Sequence, residues 1–450
     1  MASRFGGSSR LLRHPAQYVV LAFSVACFTG TGLLMLPFST QSGSSASPLT
    51  ALFTATSAVC VTGLNVVDTG TYWSGFGQGV IVGLIQVGGL GIMTLSSLII
   101  VVLSRRMGMR QRMVAAAERG SLDLGDLRSL LLGVIRLTLT VEATATLLLF
   151  LRFWLRHGEE PGRALYLGLF HAVSSFNNAG FGLFPDNLVR FQTDPILLLV
   201  IAASIVIGGL GFPVWIQIAR QPRQPRRWDL HAKLTVSTTI VLILAGWALL
   251  TWFEWTNQRT IGDLSAGDSI VNGLFHAITP RTAGFNSVDV AALREPSRLL
   301  TEVLMFIGGG SGSTAGGIKV TTFALLGFVM WAEVRGDPDV VVFERRVPTG
   351  AQRQALTVAL MAVGGVVLST MILVSVSSLG RADLLVEAVS ALGTVGLSAN
   401  ITPLLPDAAR LVVIVLMFVG RVGPPTLFAA LVLRERERLY RHPEERPIIG

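Results

Sequence analysis

Four stretches of the chain end alike and carry the residue types of a single chemistry. They read Leu52-Phe-Thr-Ala-Thr-Ser-Ala-Val-Cys-Val-Thr-Gly63, Leu169-Phe-His-Ala-Val-Ser-Ser-Phe-Asn-Asn-Ala-Gly180, Leu274-Phe-His-Ala-Ile-Thr-Pro-Arg-Thr-Ala-Gly284 and Leu385-Val-Glu-Ala-Val-Ser-Ala-Leu-Gly-Thr-Val-Gly396. The residues just ahead of the closing glycines are Val61 and Thr62, Asn178 and Ala179, Thr282 and Ala283, and Thr394 and Val395. Glycine reaches the positive-φ conformations that an irregular line of carbonyls needs and leaves no side chain beside them. Carbonyls so arranged replace the water shell of an alkali cation without adding net charge, whereas an ion stripped of water uncompensated loses on the order of several kcal/mol or more. The expected ligand of residues 61–63, 178–180, 282–284 and 394–396 is therefore a monovalent cation.

The elements that hold these segments follow from their length. About ten weakly polar or apolar residues precede each glycine, too few to cross a bilayer and suited to a re-entrant half-helix. Irregular backbone at membrane depth is tolerated only against protein or a watery cavity, so the four loops must face one another. Their helices would aim C-terminal carbonyl ends at that cavity, which again favours a cation. Around them lie apolar runs at about residues 16–37, 78–103, 130–151, 195–219, 234–253, 298–330, 355–378 and 408–433. Each meets the roughly 20 residues that a spanning helix requires. With 51% apolar and 14% charged residues, the chain is expected to be an all-α polytopic membrane protein.

The formal charge of +9 comes from arginine bunches between alternate spans rather than one basic stripe, which argues against nucleic acid. The bunches are Arg4, Arg10 and Arg13; Arg105 to Arg119; Arg220 to Lys233; Arg335 to Arg353; and Arg434 to Arg446. The positive-inside rule puts them, with both termini, in the cytoplasm. Arg152, Arg156 and Arg163 break the pattern on the opposite side, among Glu159 and Glu160. The first apolar run exceeds a signal peptide core and is expected to be retained. Cys27 and Cys60 stand in different segments, and no spacing pairs them or suggests zinc.

A second echo keeps step with the first: Val87-Gly-Gly-Leu-Gly91, Ile207-Gly-Gly-Leu-Gly211, Ile307-Gly-Gly-Gly-Ser311 and Val419-Gly-Arg-Val-Gly423. Two signals in register through four units of about a quarter of the chain each indicate an internal repeat. The boundaries predicted are 1–14 for the N-terminus, 15–110, 111–222, 223–335 and 336–434 for the repeats, and 435–450 for the C-terminus. In the third unit Gly308, Gly309, Gly310, Ser311, Gly312, Ser313, Thr314, Ala315, Gly316 and Gly317 interrupt the span, and a continuous helix is not expected there, since each glycine costs about 1 kcal/mol relative to alanine. A break lined by small hydroxyl residues, with Lys319 beside it, could obstruct the pathway and move aside; the alternative is a glycine face for tight packing. Arg421, midway along the last span, must face water or protein rather than lipid.

These motifs resemble the Trk/Ktr/HKT superfamily of potassium transporters over essentially the whole chain, and the short N-terminus is most similar to the Ktr-type membrane subunits, the KtrB group. Thr394-Val395-Gly396 also matches the triplet of potassium-channel filters. The resemblance implies four membrane-pore-membrane repeats, with eight transmembrane helices and four re-entrant pore helices around a pseudo-fourfold central pore. It implies K+ at the filter carbonyls, a homodimer with one pore per protomer, and a cytosolic ring of RCK-type subunits, KtrA-like, that alone binds nucleotide. It further implies a gate formed by the loop of the third repeat, with Arg421 projecting beneath the filter to repel cations and hold the loop's carbonyls. The setting would be the inner membrane of a prokaryote. Serine at the first filter glycine accompanies sodium preference in plant members, and Gly63 stands there in this chain, so potassium is favoured.

His171 and His276 match Thr54 and Glu387 in position and read as structural residues at helix starts, not metal ligands. Glu142 and Glu302 are intramembrane carboxylates, with Arg136 or a neighbouring unit as expected partners. Trp73, Trp154, Trp252 and Trp255 read as interfacial anchors. Two rivals differ in class. One is a secondary transporter of Na+ or another cation with inverted repeats. The other is an intramembrane serine protease, because Gly309-Gly-Ser311-Gly312 resembles the rhomboid serine motif; its histidines, however, belong to a different depth. Gly312 and Gly317 have P-loop separation, but Ile318 occupies the lysine position, so no nucleotide site is assigned.

Overall fold

The computed structural model describes residues 15–106 and 124–423. The chain alternates long apolar helices with short buried ones. In the first unit these are α1 (Pro15–Leu34), α2 (Pro48–Val59) and α3 (Gly75–Arg106). The second unit has α4 (Leu124–Leu155), α5 (Pro161–Phe176), α6 (Pro195–Leu210) and α7 (Phe212–Arg220). The third has α8 (Leu230–Glu254), α9 (Ala266–Ile278), α10 (Glu295–Phe306) and α11 (Val320–Arg335). The fourth has α12 (Thr349–Val376), α13 (Arg381–Gly393) and α14 (Asp407–Val422). A two-residue antiparallel hairpin, β1 (Val341–Val342) with β2 (Arg345–Arg346), is a small departure from the all-α expectation.

Local sequence sets the start of each short helix. Pro48 occupies the first turn of α2, where its missing N–H is no loss, and the Ser47 hydroxyl accepts the Thr50 N–H at 3.2 Å. Ser265 caps α9 in the same way through Asp268 N–H at 3.2 Å. All four short helices are buried along most of their length. The long first helices instead expose apolar residues, such as Leu21, Val25 and Phe28 on α1 or Val363, Val367 and Met371 on α12. An apolar exterior around buried short helices is the arrangement a bilayer demands.

Four helices among the described residues are long and apolar enough to cross a membrane, and they are the first helices of the four units: α1, α4, α8 and α12. The second runs behave differently. The α6–α7 pair is bent by 93°, which gives a fifth span if the two are counted as one. Residues 307–319 separate α10 from α11, α14 is described only to residue 423, and among the described residues α3 is the one second helix that runs on unbroken. Eight uninterrupted spans, as the hydropathy suggested, are therefore not what the chain forms: glycine-rich breaks and Pro213 stop two of the second helices.

Packing runs in a cycle. Within each unit the long first helix lies against the short one: α1 on α2, α4 on α5, α8 on α9, α12 on α13. The second helix then packs on the short helix of the next unit: α3 on α5, α6 on α9, α10 on α13, and α14 back on α2. Of the sequence-derived boundaries, those at 14, 110 and 434 lie outside the described residues, as do both termini, the first and last arginine bunches, and Arg110, Arg112 and Arg119. α11 ends at Arg335 and is closed by left-handed Gly336.

Candidate functional site

The short helices bring the four glycine segments together. Each triplet has the same backbone: its first residue is left-handed, with φ 54° at Val61, 58° at Asn178, 75° at Thr282 and 50° at Thr394. Its glycine is again positive, with φ 90° at Gly63, 68° at Gly180, 73° at Gly284 and 95° at Gly396. Three of the four leading residues are β-branched, for which this conformation is rare, so the surroundings must enforce it. They do so through a shared hydrogen bond. The middle residues Thr62, Ala179 and Val395 give their N–H to the carbonyls of Ser57, Ser174 and Ser390 at 2.8, 2.7 and 2.8 Å, and Ala283 gives its own to Thr279 at 2.9 Å. The hydroxyls of Ser57 and Ser390 then accept the Gly63 and Gly396 N–H groups, both at 3.0 Å.

The glycines close a ring. A Cβ built on Gly63 would lie 3.1 Å from the Cα of Gly180, one on Gly180 would lie 3.0 Å from Gly284, one on Gly284 3.1 Å from Gly396, and one on Gly396 3.2 Å from Gly63. Each would also strike a carbonyl oxygen of the next unit: Ala179, Ala283 at 2.7 Å, Val395 and Thr62. The oxygens of the middle residues thus border the ring, and no side chain larger than hydrogen fits there. Beside it opens a cavity of about 570 Å³ whose wall includes Gly63, Gly284 and Gly396 together with Asp68, Asp186 and Asp289. Arg190 pairs with Asp186 at 2.7 Å, so Asp68 and Asp289 are the carboxylates of this wall without a cationic partner among the described residues.

The interruption of the third unit lies across the second helices of its neighbours. Residues 307–319 form a compact loop, closed at its neck by the Gly308 N–H on the Ile318 carbonyl at 2.8 Å and by Val320 N–H on Gly309 at 3.1 Å. Ser313, Thr314 and Ala315 are buried, and Ser313 Oγ donates to the Gly310 carbonyl at 2.6 Å. The Lys319 ammonium folds back on the Ala315 and Gly316 carbonyls at 2.6 and 3.4 Å. Gly316 faces the Thr394 side chain and Gly317 the backbone of Gly393, so the loop touches the start of the fourth triplet. Arg421 is buried and donates to the Thr314 carbonyl of the loop and, at 2.8 Å, to the Gly88 carbonyl of α3. Its guanidinium ties the loop to the first and fourth units.

A family profile described as TrkH, cation transport protein, matches residues 6–439. The chain is 39% identical over 438 residues to the Ktr system potassium uptake protein B of Bacillus subtilis, covering 97% of each. It is 37% identical to the protein of the same name from Vibrio alginolyticus, over 96% of this chain and 94% of that one. It is also 36% identical to the potassium/sodium uptake protein NtpJ of Enterococcus hirae, over 97% of each. The chain belongs to the TrkH cation transport family. Its fold is that of the TrkH crystal structure from Vibrio parahaemolyticus, with a TM-score of 0.70 over 94% of this chain and 86% of that one at 20% identity.

A TrkH-family protein is a membrane transporter and not an enzyme, and the serine-protease reading fails on geometry as well. Ser311 Oγ pairs with the Thr321 hydroxyl at 3.3 Å, while His171 Nδ1 meets the Leu167 carbonyl at 2.8 Å and His276 Nε2 the Thr301 hydroxyl at 3.2 Å. Neither histidine starts a helix: α5 and α9 each begin ten residues earlier, because Pro161 and Ser265 supply the starts. Glu387, at the matching position, accepts the Ser398 and Thr402 hydroxyls at 2.8 and 2.6 Å and so braces the irregular segment beyond Gly396. Glu142 does not meet Arg136; it accepts the amides of Gln86 at 3.4 Å and Asn177 at 3.1 Å, linking α3 and α4 to the end of α5. Glu302 lies 3.9 Å from Arg298 on its own helix. Trp73 is fully buried rather than interfacial, whereas Trp154, Trp252 and Trp255 are exposed. Cys27 and Cys60 are both buried and free. Arg152 and Arg163, which broke the charge pattern, are held by Asp194 at 2.8 Å and Glu159 at 2.9 Å.

Sequence reasoning missed two features of this site. The residue at the sixth position of all four segments, Ser57, Ser174, Thr279 and Ser390, was visible as a column of hydroxyls, but what they share is the backbone carbonyl that accepts the N–H of the middle residue, and only the Ser57 and Ser390 hydroxyls also hold the glycine N–H. The break of the second unit was also legible, in Gly211-Phe-Pro213. Gly211 takes φ 91°, and Trp215 Nε1 donates back across the bend to the Ile207 carbonyl at 2.9 Å.

Proposed function

We propose that this chain is the ion-translocating membrane subunit of a Ktr-type potassium uptake system. The observation that carries the reading is the ring of Gly63, Gly180, Gly284 and Gly396, bordered by one carbonyl from each unit. Carbonyls converging from four segments supply the oxygen field that compensates a dehydrated K+. In this reading the four short helices are re-entrant pore helices, the long and broken helices make eight spans about a pseudo-fourfold pore, and the loop at 307–319 with Arg421 and Lys319 is the gate. The cyclic packing supports this arrangement over inverted repeats, because every unit repeats the same order of long, short and second helix.

The relatives named for potassium uptake, and Gly63 at the position where serine accompanies sodium preference, support K+ as the transported ion. The relative named for potassium and sodium supports Na+ as a second substrate. Ktr-type partners follow from the same kinship: a second copy of the chain and a cytosolic RCK ring, KtrA-like, that carries the nucleotide. The protein would sit in the inner membrane of a prokaryote with both termini in the cytoplasm.

Uptake by cells that lack other potassium systems tests the filter. Gly63→Ser and Gly396→Ser each place an atom against a neighbouring carbonyl, so selectivity for K+ over Na+ should fail while the protein still inserts. Selectivity unchanged in both variants would refute the filter assignment.

A further inference from the structure

A helix broken inside a membrane frees carbonyl oxygens, and each must find a donor. In the second unit the sequence frees two of them. Pro213 has no N–H, so the Gly209 carbonyl four residues earlier has no helical partner. Phe212 turns its N–H to the Gly312 carbonyl at 3.2 Å, which leaves the Gly208 carbonyl without its own. A third is the Phe176 carbonyl at the C-terminal end of α5, where helical donors run out. Residues of the gate loop take all three. Gly310 N–H donates to Gly209 at 2.8 Å, Thr314 N–H to Gly208 at 3.3 Å, and the Thr314 hydroxyl to Phe176 at 3.2 Å. The carbonyls are neighbours, since a Cβ on Gly208 would fall against the Phe176 oxygen and 3.1 Å from Thr314 Oγ1.

We propose that the Phe176, Gly208 and Gly209 carbonyls form a monovalent-cation site on the gate side of the filter, and that the loop closes the pathway by occupying that site with its own donors. The proposal rests on the gate reading. When the loop leaves, three carbonyls at the C-terminal, negative ends of α5 and α6 require new partners, and the pathway offers water and the permeating ion. Loop and ion compete for the same oxygens, so the ion favours the open state by its affinity for that state alone. Thr314 supplies two of the three donors and therefore carries the competition.

The test uses the full chain in proteoliposomes with Ser311→Cys, a half-buried position on the loop. A charged thiol reagent is applied in K+ or in choline at constant ionic strength, and K+ flux is followed in parallel. Cys27 and Cys60 stay in place, being buried, and labelling of the parent chain is subtracted. Labelling should accelerate and saturate as K+ rises, and choline should have no effect. Adding Thr314→Val keeps the shape but removes the hydroxyl donor, and should lower the half-saturating K+ by about fivefold; Thr314→Ser should leave it near the parent value. Equal labelling in K+ and choline, with flux still altered by the modification, overturns the competition and leaves the gate standing. Labelling that never alters flux overturns both. Should Thr314→Val fail to insert, the K+ dependence of the Ser311→Cys chain decides alone.

Discussion

On the gate reading proposed above, replacing Arg421 by alanine isolates the closing force on the loop. The guanidinium makes two hydrogen bonds, to the Thr314 carbonyl of the loop and to the Gly88 carbonyl of α3. Only the first is lost when the loop moves, so it alone discriminates closed from open. A hydrogen bond from a charged donor contributes about 1.5–3 kcal/mol, which corresponds to a shift of roughly ten- to a hundredfold in the closed-to-open ratio. Removal of a buried positive charge from the pathway acts in the same direction, because it no longer repels an approaching cation. The assay is the initial rate of K+ uptake, normalised to inserted protein, with thermal denaturation in detergent measured alongside. Uptake should rise in Arg421→Ala, and Arg421→Lys should fall between, since a single ammonium does not reproduce the fork that spans two carbonyls. Unchanged uptake in a well-inserted Arg421→Ala chain refutes the reasoning. So does a loss of uptake that tracks a loss of thermal stability, which would make Arg421 a static tie between α14, the loop and α3.

Three further outcomes follow from the geometry. Gly211→Ala forces a side chain into φ 91° and sets its Cβ 2.8 Å from the Ser311 carbonyl; at a strain of about 1–3 kcal/mol it should unseat the loop and raise basal K+ flux, and unchanged flux would count against the loop as a gate. Glu142→Gln keeps the size and an acceptor for Asn177 and should preserve uptake, whereas Glu142→Ala leaves the Gln86 amide without its acceptor, Asn177 keeping the Gln86 and Val173 oxygens, and should cost about 1–3 kcal/mol, read as a lower melting temperature. Asp194 caps α6 outside the span: burial opposes its charge, but Arg152, His157 and the Leu197 N–H outweigh that and hold its carboxyl below the ordinary value of 3.8. With the folded value depressed, its contribution is complete above 3.8 and fades as pH falls through the lower folded value; Asp194→Asn should melt lower at neutral pH and show less of this acid loss.

The four glycine-ended segments were legible because the property that defines them is local. A glycine that must take positive φ beside a neighbouring carbonyl leaves its mark at one position, and four such marks in register announce the repeat. The break at Gly308 to Gly317 was legible for the same reason, as a run no helix tolerates. Gly211-Phe-Pro213 carried an equal signal in fewer residues and was overlooked within an otherwise continuous apolar run. Positions along the short helices were misplaced for His171 and His276, since hydropathy does not separate a buried half-helix from the polar turn that starts it.

Sequence alone determined that this chain fills a membrane and which four glycine-ended segments resemble one another. Tertiary structure decided which groups meet: that Arg421 reaches Thr314 and Gly88, that Glu142 holds amides instead of an arginine, and that Trp73 is enclosed by protein. The division has a physical cause. Backbone conformation and burial in lipid are constraints on a residue and its nearest neighbours, whereas a carbonyl freed by one broken helix is satisfied by whichever donor the cyclic packing of the other units delivers.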